Sequence, residues 1–414
     1  MADRDPVPTV GILTLNYAPE DIGIGPYSAG LAQGLVERGF AVSVIAGNPY
    51  YPQWAKRAGF RGWSTQPEYG VRVSRCPHYV PHDPSGLKRL LHHMSFALSA
   101  SVAAMRWVRE RPDTIVAVMP SLVAAPVAWA AARLAGAKLW LHVQDFEVEA
   151  AVATGLAGRA SLPVRLGAVA ERWLLARADR VSTISPQMVA LLHAKGVAPE
   201  RTLELRNWAN HFDAIRSGDL AQFQDEWQVG SRKVLLYSGN IARKQGLGLV
   251  LDAARLLARR EDCLFVVCGN GPNRAALEAD AADLRNVRFA DLQPADRFGD
   301  LMRLADIHLL PQLADAADLV LPSKLTNMLA SGAPVVATAA PGTGLYAEVG
   351  GNGIATPPGD AAAFAEAIAT LLDDPDRRAA LGANALQTAR DCWRKDAILD
   401  RWAEELRALA EEQR

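Results

Sequence analysis

Residues Thr9 to Gly47 read TVGILTLNYAPEDIGIGPYSAGLAQGLVERGFAVSVIAG, and this stretch decides the fold. Val10 to Leu15 is an apolar run of strand length, and NYAPEDIGIGP carries loop residues. From Tyr27 to Arg38 the positions Tyr27, Leu31 and Leu35 recur at the period of one helix face. Gly39 stops that helix, and a second apolar strand runs from Phe40 to Ile45. Strand, loop, helix and strand in this order open a parallel sheet. The same opening recurs from Lys233, where KVLLYSG is a strand, NIARKQG a loop, Leu247 to Arg260 a helix and Cys263 to Cys268 the next strand. The chain is therefore α/β, and it begins a Rossmann-like sheet twice. Its 414 residues, 50% hydrophobic, suffice for two cores.

The stretch from Asn207 to Arg232 is polar and broken by Gly218 and Gly230, which marks a linker between domains at 1–208 and 209–392. The tail 393–414 reads as a charged amphipathic helix with Trp393, Ile398, Trp402 and Leu406 on its apolar side, packing back on the first domain. Thr114 to Ala132 is uncharged over about the length of a membrane span, but Pro120, Pro126 and its alanines favour strand, loop and helix.

Lys and Arg number 44 against 45 Asp and Glu, well mixed, for a net charge of -1, so no global field gathers nucleic acid. Cys76, Cys263, Cys268 and Cys392 form no CxxC pair and read as reduced, buried thiols. MADRDPVPTV lacks the apolar stretch of a signal peptide, and the expected location is the cytoplasm.

Ligands of open parallel sheets bind at the carboxyl ends of strands, and four loops there carry chemistry. Gly23 and Gly25 open the first helix, where backbone N–H groups favour an anion. As a dinucleotide fingerprint the loop is incomplete, because Ser28 holds the third glycine position and no acid follows the second strand, which disfavours a dehydrogenase. Gly239 and Asn240 lead to Arg243 and Lys244, two cations at a strand-to-helix turn where a phosphate would sit well; taken alone they read as a solvated surface pair. Gly269 and Gly271 form a tight turn after the next strand. In LVLPSKLTNMLASG, Ser323 is the expected N-cap of a helix whose apolar stripe is Leu325, Met328 and Leu329, and Gly332 ends it. Lys324 and Asn327 share its other face. A lysine in a first turn opposes the helix dipole, so a facing anion, a diphosphate, is expected there.

These segments carry a resemblance. The chain resembles glycosyltransferases of family 4, most closely the WcaI-type enzymes of bacterial exopolysaccharide and colanic acid synthesis. The similarity runs through NYAPEDIGIGPYS, PYYPQW, RCPHYVP, LKRLLHHMSFALS, LHVQDFEVEA, VSTIS, NWAN, LYSGNIARKQGL and LPSKLTNMLASG. It implies the GT-B architecture, two Rossmann-like domains with parallel sheets facing across a cleft. It also implies retaining transfer of a hexosyl or deoxyhexosyl group from a nucleotide-diphospho-sugar, held mainly by the C-terminal domain. GDP-fucose or a UDP-sugar is the implied donor. The acceptor, a saccharide or an undecaprenyl-linked saccharide, is held mainly by the N-terminal domain. No cofactor and no metal are implied.

Lys244 and Lys324 then stabilise the departing diphosphate, with Gly25 closing over it. The family's Arg in the first loop is Asn240 here, and its Lys before the next glycine is Gln245. Of its two spaced glutamates the second is Asn327, turned to the ribose, and the first has no match, since Leu319 stands there with Asp318 and Asp315 the nearest carboxylates. Base recognition falls to backbone near Leu292. Gln144, Asp145 and Glu147 lie at the end of strand Lys138 to Val143; Gln144 stands where the family has a histidine, and Asp145 is the leading polar group at the reaction centre, orienting or deprotonating the acceptor hydroxyl, or else capping the following helix. His142 reads as a packed core residue.

Tyr51 and Trp54 could stack on an acceptor sugar. Gly86 to Arg106 mixes Lys88, Arg89, His92 and His93 with Leu87, Leu90, Leu91, Met94 and Phe96, a basic amphipathic helix suited to the inner-membrane surface or else an ordinary helix with a wet basic face. His78, His82, His92 and His93 lack the carboxylate pattern of a metal site. Two other readings stand beside this one: a sugar-nucleotide epimerase of the same fold, and a non-catalytic two-domain sugar-binding protein.

Overall fold

The computed structural model describes residues 7–21, 23–83, 85–149, 161–209, 212, 215, 220–313 and 322–412. The chain divides into two compact units, Met1–Asn207 with Asp396–Arg414, and Trp208–Lys395.

In the first unit the strands are β1 (Thr9–Thr14), β2 (Ala41–Gly47), β3 (Ser64–Glu68), β4 (Val71–Cys76), β5 (Thr114–Met119), β6 (Lys138–Val143), β7 (Arg180–Thr183) and β8 (Thr202–Glu204). They form one sheet in the order β3-β4-β2-β1-β5-β6-β7-β8. Every pairing is parallel except β3 with β4, an antiparallel edge that the period of the sequence did not distinguish. Helices α1 (Gly25–Glu37), α2 (Gly86–Glu110), α3 (Ala125–Ala135), α4 (Leu162–Leu175) and α5 (Pro186–Ala194) connect them. Strands such as β5 are buried along their whole length, as a parallel sheet covered on both faces requires. The uncharged run from Thr114 is thus strand, turn and helix, and among the described residues no helix is long and apolar enough to cross a membrane.

The second unit is a six-stranded, all-parallel sheet of β9 (Lys233–Ser238), β10 (Cys263–Cys268), β11 (Val287–Ala290), β12 (Ile307–Leu310), β13 (Val335–Thr338) and β14 (Gly353–Thr356), in the order β11-β10-β9-β12-β13-β14. Its helices are α6 (Ala221–Glu226), α7 (Gly248–Leu256), α8 (Arg274–Asp280), α9 (Phe298–Leu304), α10 (Ser323–Ala330), α11 (Gly344–Val349), α12 (Ala361–Asp373) and α13 (Pro375–Cys392). The strand order reverses beside β9, so the loops after β9 and its neighbours are where a ligand of this sheet binds.

Three boundaries differ from the sequence reading. Helix α1 starts at Gly25, because Pro26 has the backbone angle of a first helical turn. The stretch that reads as a linker sends Ile215, Phe223 and Trp227 into the core of the second unit, and its polarity belongs to the residues between them. Trp393 is buried, but in that same core, at the end of α13. The returning helix α14 (Lys395–Glu411) begins two residues later and packs on the first unit, where Trp402 stacks on Trp140 at 4.7 Å between ring centroids.

Cys76, Cys263 and Cys268 are buried free thiols, and burial pushes those of Cys263 and Cys268 up to about 11.

Candidate functional site

In the second unit the loops after β9 and β10 lie against one another. The Gly239 and Ile241 N–H groups donate to Cys268 O and Asn270 O, both at 2.9 Å. This closeness demands glycine: at Gly269, where φ is +150°, a Cβ would stand 1.9 Å from Gly239 O. Gly271 is pressed in the same way against Asn240 and Ile241.

Lys324 reaches across from α10 and covers Gly239, where a Cβ would meet its Cε at 2.7 Å. Its Nζ donates to Tyr237 Oη at 2.7 Å and to Gln245 Oε1 at 3.0 Å. Tyr237 is fully buried at the end of β9, and its hydroxyl passes the chain on to Asn240 O at 2.6 Å. Burial drives the Tyr237 hydroxyl far above its ordinary pKa, so it stays a neutral donor. The structure thus brings Gly239, Asn240, Gly269, Gly271 and Lys324 together, with Asn327 three residues along α10. Asn327 Oδ1 is buried and has no hydrogen-bond partner, which leaves an acceptor available beside the lysine.

Other residues fall differently. Leu325, Met328 and Leu329 form the buried stripe of α10, at 0–1% exposure. Helix α10 begins at Ser323 itself, so the N-cap position passes to Pro322, whose carbonyl accepts from the Leu325 N–H at 2.9 Å. A residue already in helical conformation cannot be the cap, and the N-cap reading of Ser323 is corrected. Arg243 is exposed, in a turn with Lys244 and Gln245. Leu292 is 63% exposed in the loop after β11. Asp315, Asp318 and Leu319 lie outside the described residues, as do the side chains of Lys244 and Ser323.

In the first unit Gln144 is buried at the end of β6, and its Oε1 accepts from Asn207 Nδ2 at 3.0 Å. Asp145 follows, half-buried, and Glu147 Oε1 accepts from the Leu122 N–H at 3.1 Å in the loop after β5. Burial raises the Glu147 carboxyl to about 7, and the nearby Asp145 and Glu171 add to the rise. A carboxyl group raised in this way can hold its proton near neutral pH. His142 is a core residue, with Nδ1 2.8 Å from Ser182 Oγ and its ring against Trp402.

The glycine loop before α1 is organised by Glu20, a buried acid absent from the sequence reading. Its Oε1 accepts from the N–H groups of Tyr50 and Tyr51, both at 2.9 Å, and its Oε2 from Asn16 Nδ2. Gly25 packs on Glu20, and Gly23 faces the Tyr51 ring. Ser28 meets Thr14 Oγ1 at 3.1 Å, an internal contact. Trp54 stands 5.2 Å from Tyr50 and 5.4 Å from His92. His92 is buried on α2, against the reading of a wet basic face: Tyr50, Trp54 and His78 enclose it, and Nδ1 lies 2.6 Å from Tyr79 O. Among the described residues no three His, Cys, Asp or Glu side chains are placed to hold one metal ion.

Sequence signals for Tyr237 and Glu20 were slight. A tyrosine in LLYS reads as core, and one acid in a loop reads as solvated.

Two Rossmann-like α/β units, each with its functional loops at strand carboxyl ends, make the GT-B architecture of glycosyltransferases. Residues 23–208 match the Glycosyl transferase 4-like domain and residues 221–388 the Glycosyl transferases group 1 domain, and the chain belongs to this family of glycosyltransferases. It is 42% identical over 333 residues to the colanic acid biosynthesis glycosyl transferase WcaI of Escherichia coli (strain K12), a match covering 78% of this chain and 82% of that one. Among solved structures the sucrose-phosphate synthase of Thermosynechococcus elongatus superposes with a TM-score of 0.73 at 17% identity, over 98% of this chain and 100% of that one. Anabaena HepE in complex with UDP superposes with a TM-score of 0.68 at 16% identity, covering 97% and 100%. The protein is therefore an enzyme, a WcaI-like glycosyltransferase.

Proposed function

We propose that the enzyme moves a sugar, with retention and without a metal ion, from a nucleotide-diphospho-sugar to a saccharide acceptor carried on a lipid, in exopolysaccharide or O-antigen synthesis. The observation that carries this reading is the Lys324 ammonium, fixed over Gly239 by Tyr237 and Gln245. A cation held beside bare backbone, at the start of a helix, suits a diphosphate whose negative charge grows as the sugar departs. The unpartnered Asn327 Oδ1 suits a ribose hydroxyl. Lys244 adds charge from the neighbouring loop. Asp145 orients the acceptor hydroxyl, with Gln144, Glu147, Tyr51 and Trp54 lining the acceptor side.

GDP-fucose and UDP-sugars are the donors to test, the latter prompted by the UDP held in HepE. A thermal-shift panel of UDP-, GDP-, dTDP- and ADP-sugars, with and without Mg²⁺, tests the reading. One nucleotide should raise the melting temperature as RT ln(1 + [L]/Kd), equally without Mg²⁺, and Lys324→Ala should abolish the rise. No shift with any nucleotide would remove the donor assignment. A new sugar-nucleotide released without acceptor would make the protein an epimerase instead.

A further inference from the structure

Glu20 is 4% exposed, and a carboxyl group so placed costs stability unless donors meet it. Two of its three donors come from far along the chain: the N–H groups of Tyr50 and Tyr51, both 2.9 Å from Oε1, in the loop after β2. The same two loops are tied again by Arg57, whose Nη1 donates to Pro19 O at 2.7 Å. A ring makes the third tie. A Cβ at Gly23, where φ is +72°, would stand 3.3 Å from Tyr51 Cε1, and one at Gly25 would stand 3.0 Å from Glu20 Cβ. Both glycines of the loop before α1 are thus packed on Glu20 or on the tyrosine that Glu20 holds.

The far end of the aromatic loop is strained. Trp54 has φ +49°, a left-handed backbone that a bulky residue keeps only where its surroundings hold it. Here they are the Ala55 N–H bond to Tyr50 O at 3.3 Å and the packing of the indole on Tyr50 and His92. Tyr50 is therefore the fixed point of that loop, and Glu20 pins its backbone. Tyr51 and Trp54 stay half-buried, with surface left for a ligand. We infer that Glu20 is a positioning residue: it makes the glycine loop and the aromatic loop 50–54 one rigid body, so that a pyranose ring stacked on Tyr51 or Trp54 settles Gly23 and Gly25 as well. The consequence for turnover rests on the proposed function, in which these aromatics line the acceptor side and the glycine loop meets the diphosphate; the joining of the loops does not.

Hydrogen exchange of the full chain reads the joining directly. Glu20→Met keeps the length of the side chain and removes the acceptor, and it should speed exchange about tenfold in both 23–28 and 50–57, the scale of a buried hydrogen bond left unmade. Glu20→Gln keeps an oxygen for both tyrosine N–H groups and should restore slow exchange in both. Hydrolysis of UDP-glucose or GDP-fucose, with water as acceptor, is the second readout. Glu20→Met should lower kcat about tenfold at unchanged donor KM, and Glu20→Gln should recover it. Should Glu20→Met fail to fold, Tyr51→Ala, which leaves Glu20 in place, should still speed exchange in 23–28. Faster exchange confined to one loop, a Gln variant as fast as the Met variant, or an unchanged kcat in a folded Met variant overturns the inference. Turnover of neither donor, with exchange as expected, would remove the donor reading and leave the joined loops standing.

Discussion

Lys324 Nζ and Tyr237 Oη are 2.7 Å apart, joined across the ends of α10 and β9. The tyrosine hydroxyl accepts from the lysine and donates to Asn240 O, so it fixes both the cation and the loop beneath it. Lys324→Ala should lower turnover by about 10²–10³-fold, the scale for one preorganised donor. Tyr237→Phe keeps the charge and loses its orientation, and should lower turnover by about tenfold, or roughly 1.4 kcal/mol. Steady-state kinetics on folded variants checks both, and a Phe variant as impaired as the Ala variant would contradict this division of roles.

Asn327 offers an unpartnered oxygen that binding alone would use. Asn327→Ala should therefore raise the donor KM while sparing kcat, the mark of an interaction equal in ground and transition states. A fall in kcat at unchanged KM would place Asn327 at the reacting sugar instead.

Glu147 gives a pH dependence of definite sign. Its carboxyl rises from 4.5 to about 7 on burial, so the folded state binds more protons between these values. The contribution of the protonated form is full below pH 4.5 and is lost as pH climbs through about 7. Glu147→Gln cannot ionise, yet can still accept from Leu122. Its melting temperature should match wild type near pH 4.5, exceed it increasingly up to about pH 7, and keep a constant margin above that. Equal melting curves at pH 5 and pH 8 would show that the carboxyl ionises without penalty.

Trp402 joins the returning helix to the sheet of the first unit through Trp140 and His142. Trp402→Ala should cost about 3–5 kcal/mol, the usual range for emptying a buried tryptophan site. The loss should appear in the unfolding of the first unit, whereas Trp402→Phe should recover part of it. Denaturant melts followed by tryptophan fluorescence would measure the difference.

Period and punctuation made the alternation of strands and helices legible, because strands such as Cys263–Cys268 are apolar end to end and α1 has its apolar residues on one face. Lys324 was legible from charge alone, since it opposes the helix dipole. Its partners were not: Tyr237 is a polar group inside a continuous apolar strand, and Gln245 read as a departure from the family's lysine although it meets Lys324 at 3.0 Å. On α2 the amphipathic pattern was visible, but not which face turns inward. An imidazole can be wet or packed, and the aromatic enclosure by Tyr50, Trp54 and His78 that decides for His92 comes from residues distant in sequence. Trp393 shows the same limit, lying two residues before the helix it was grouped with yet in the core of the other unit.

The chain passes from the first unit to the second at Asn207 and returns at Asp396. The second unit is therefore an insertion within the first, and the surface of Trp140 that Trp402 covers stays bare until the entire second unit has been synthesised. On the ribosome the second unit is contiguous and can close as soon as it emerges, while the first waits, with an indole-sized apolar face exposed, for a helix encoded beyond its neighbour. Translation speed through the second unit sets how long that face is open to chaperones.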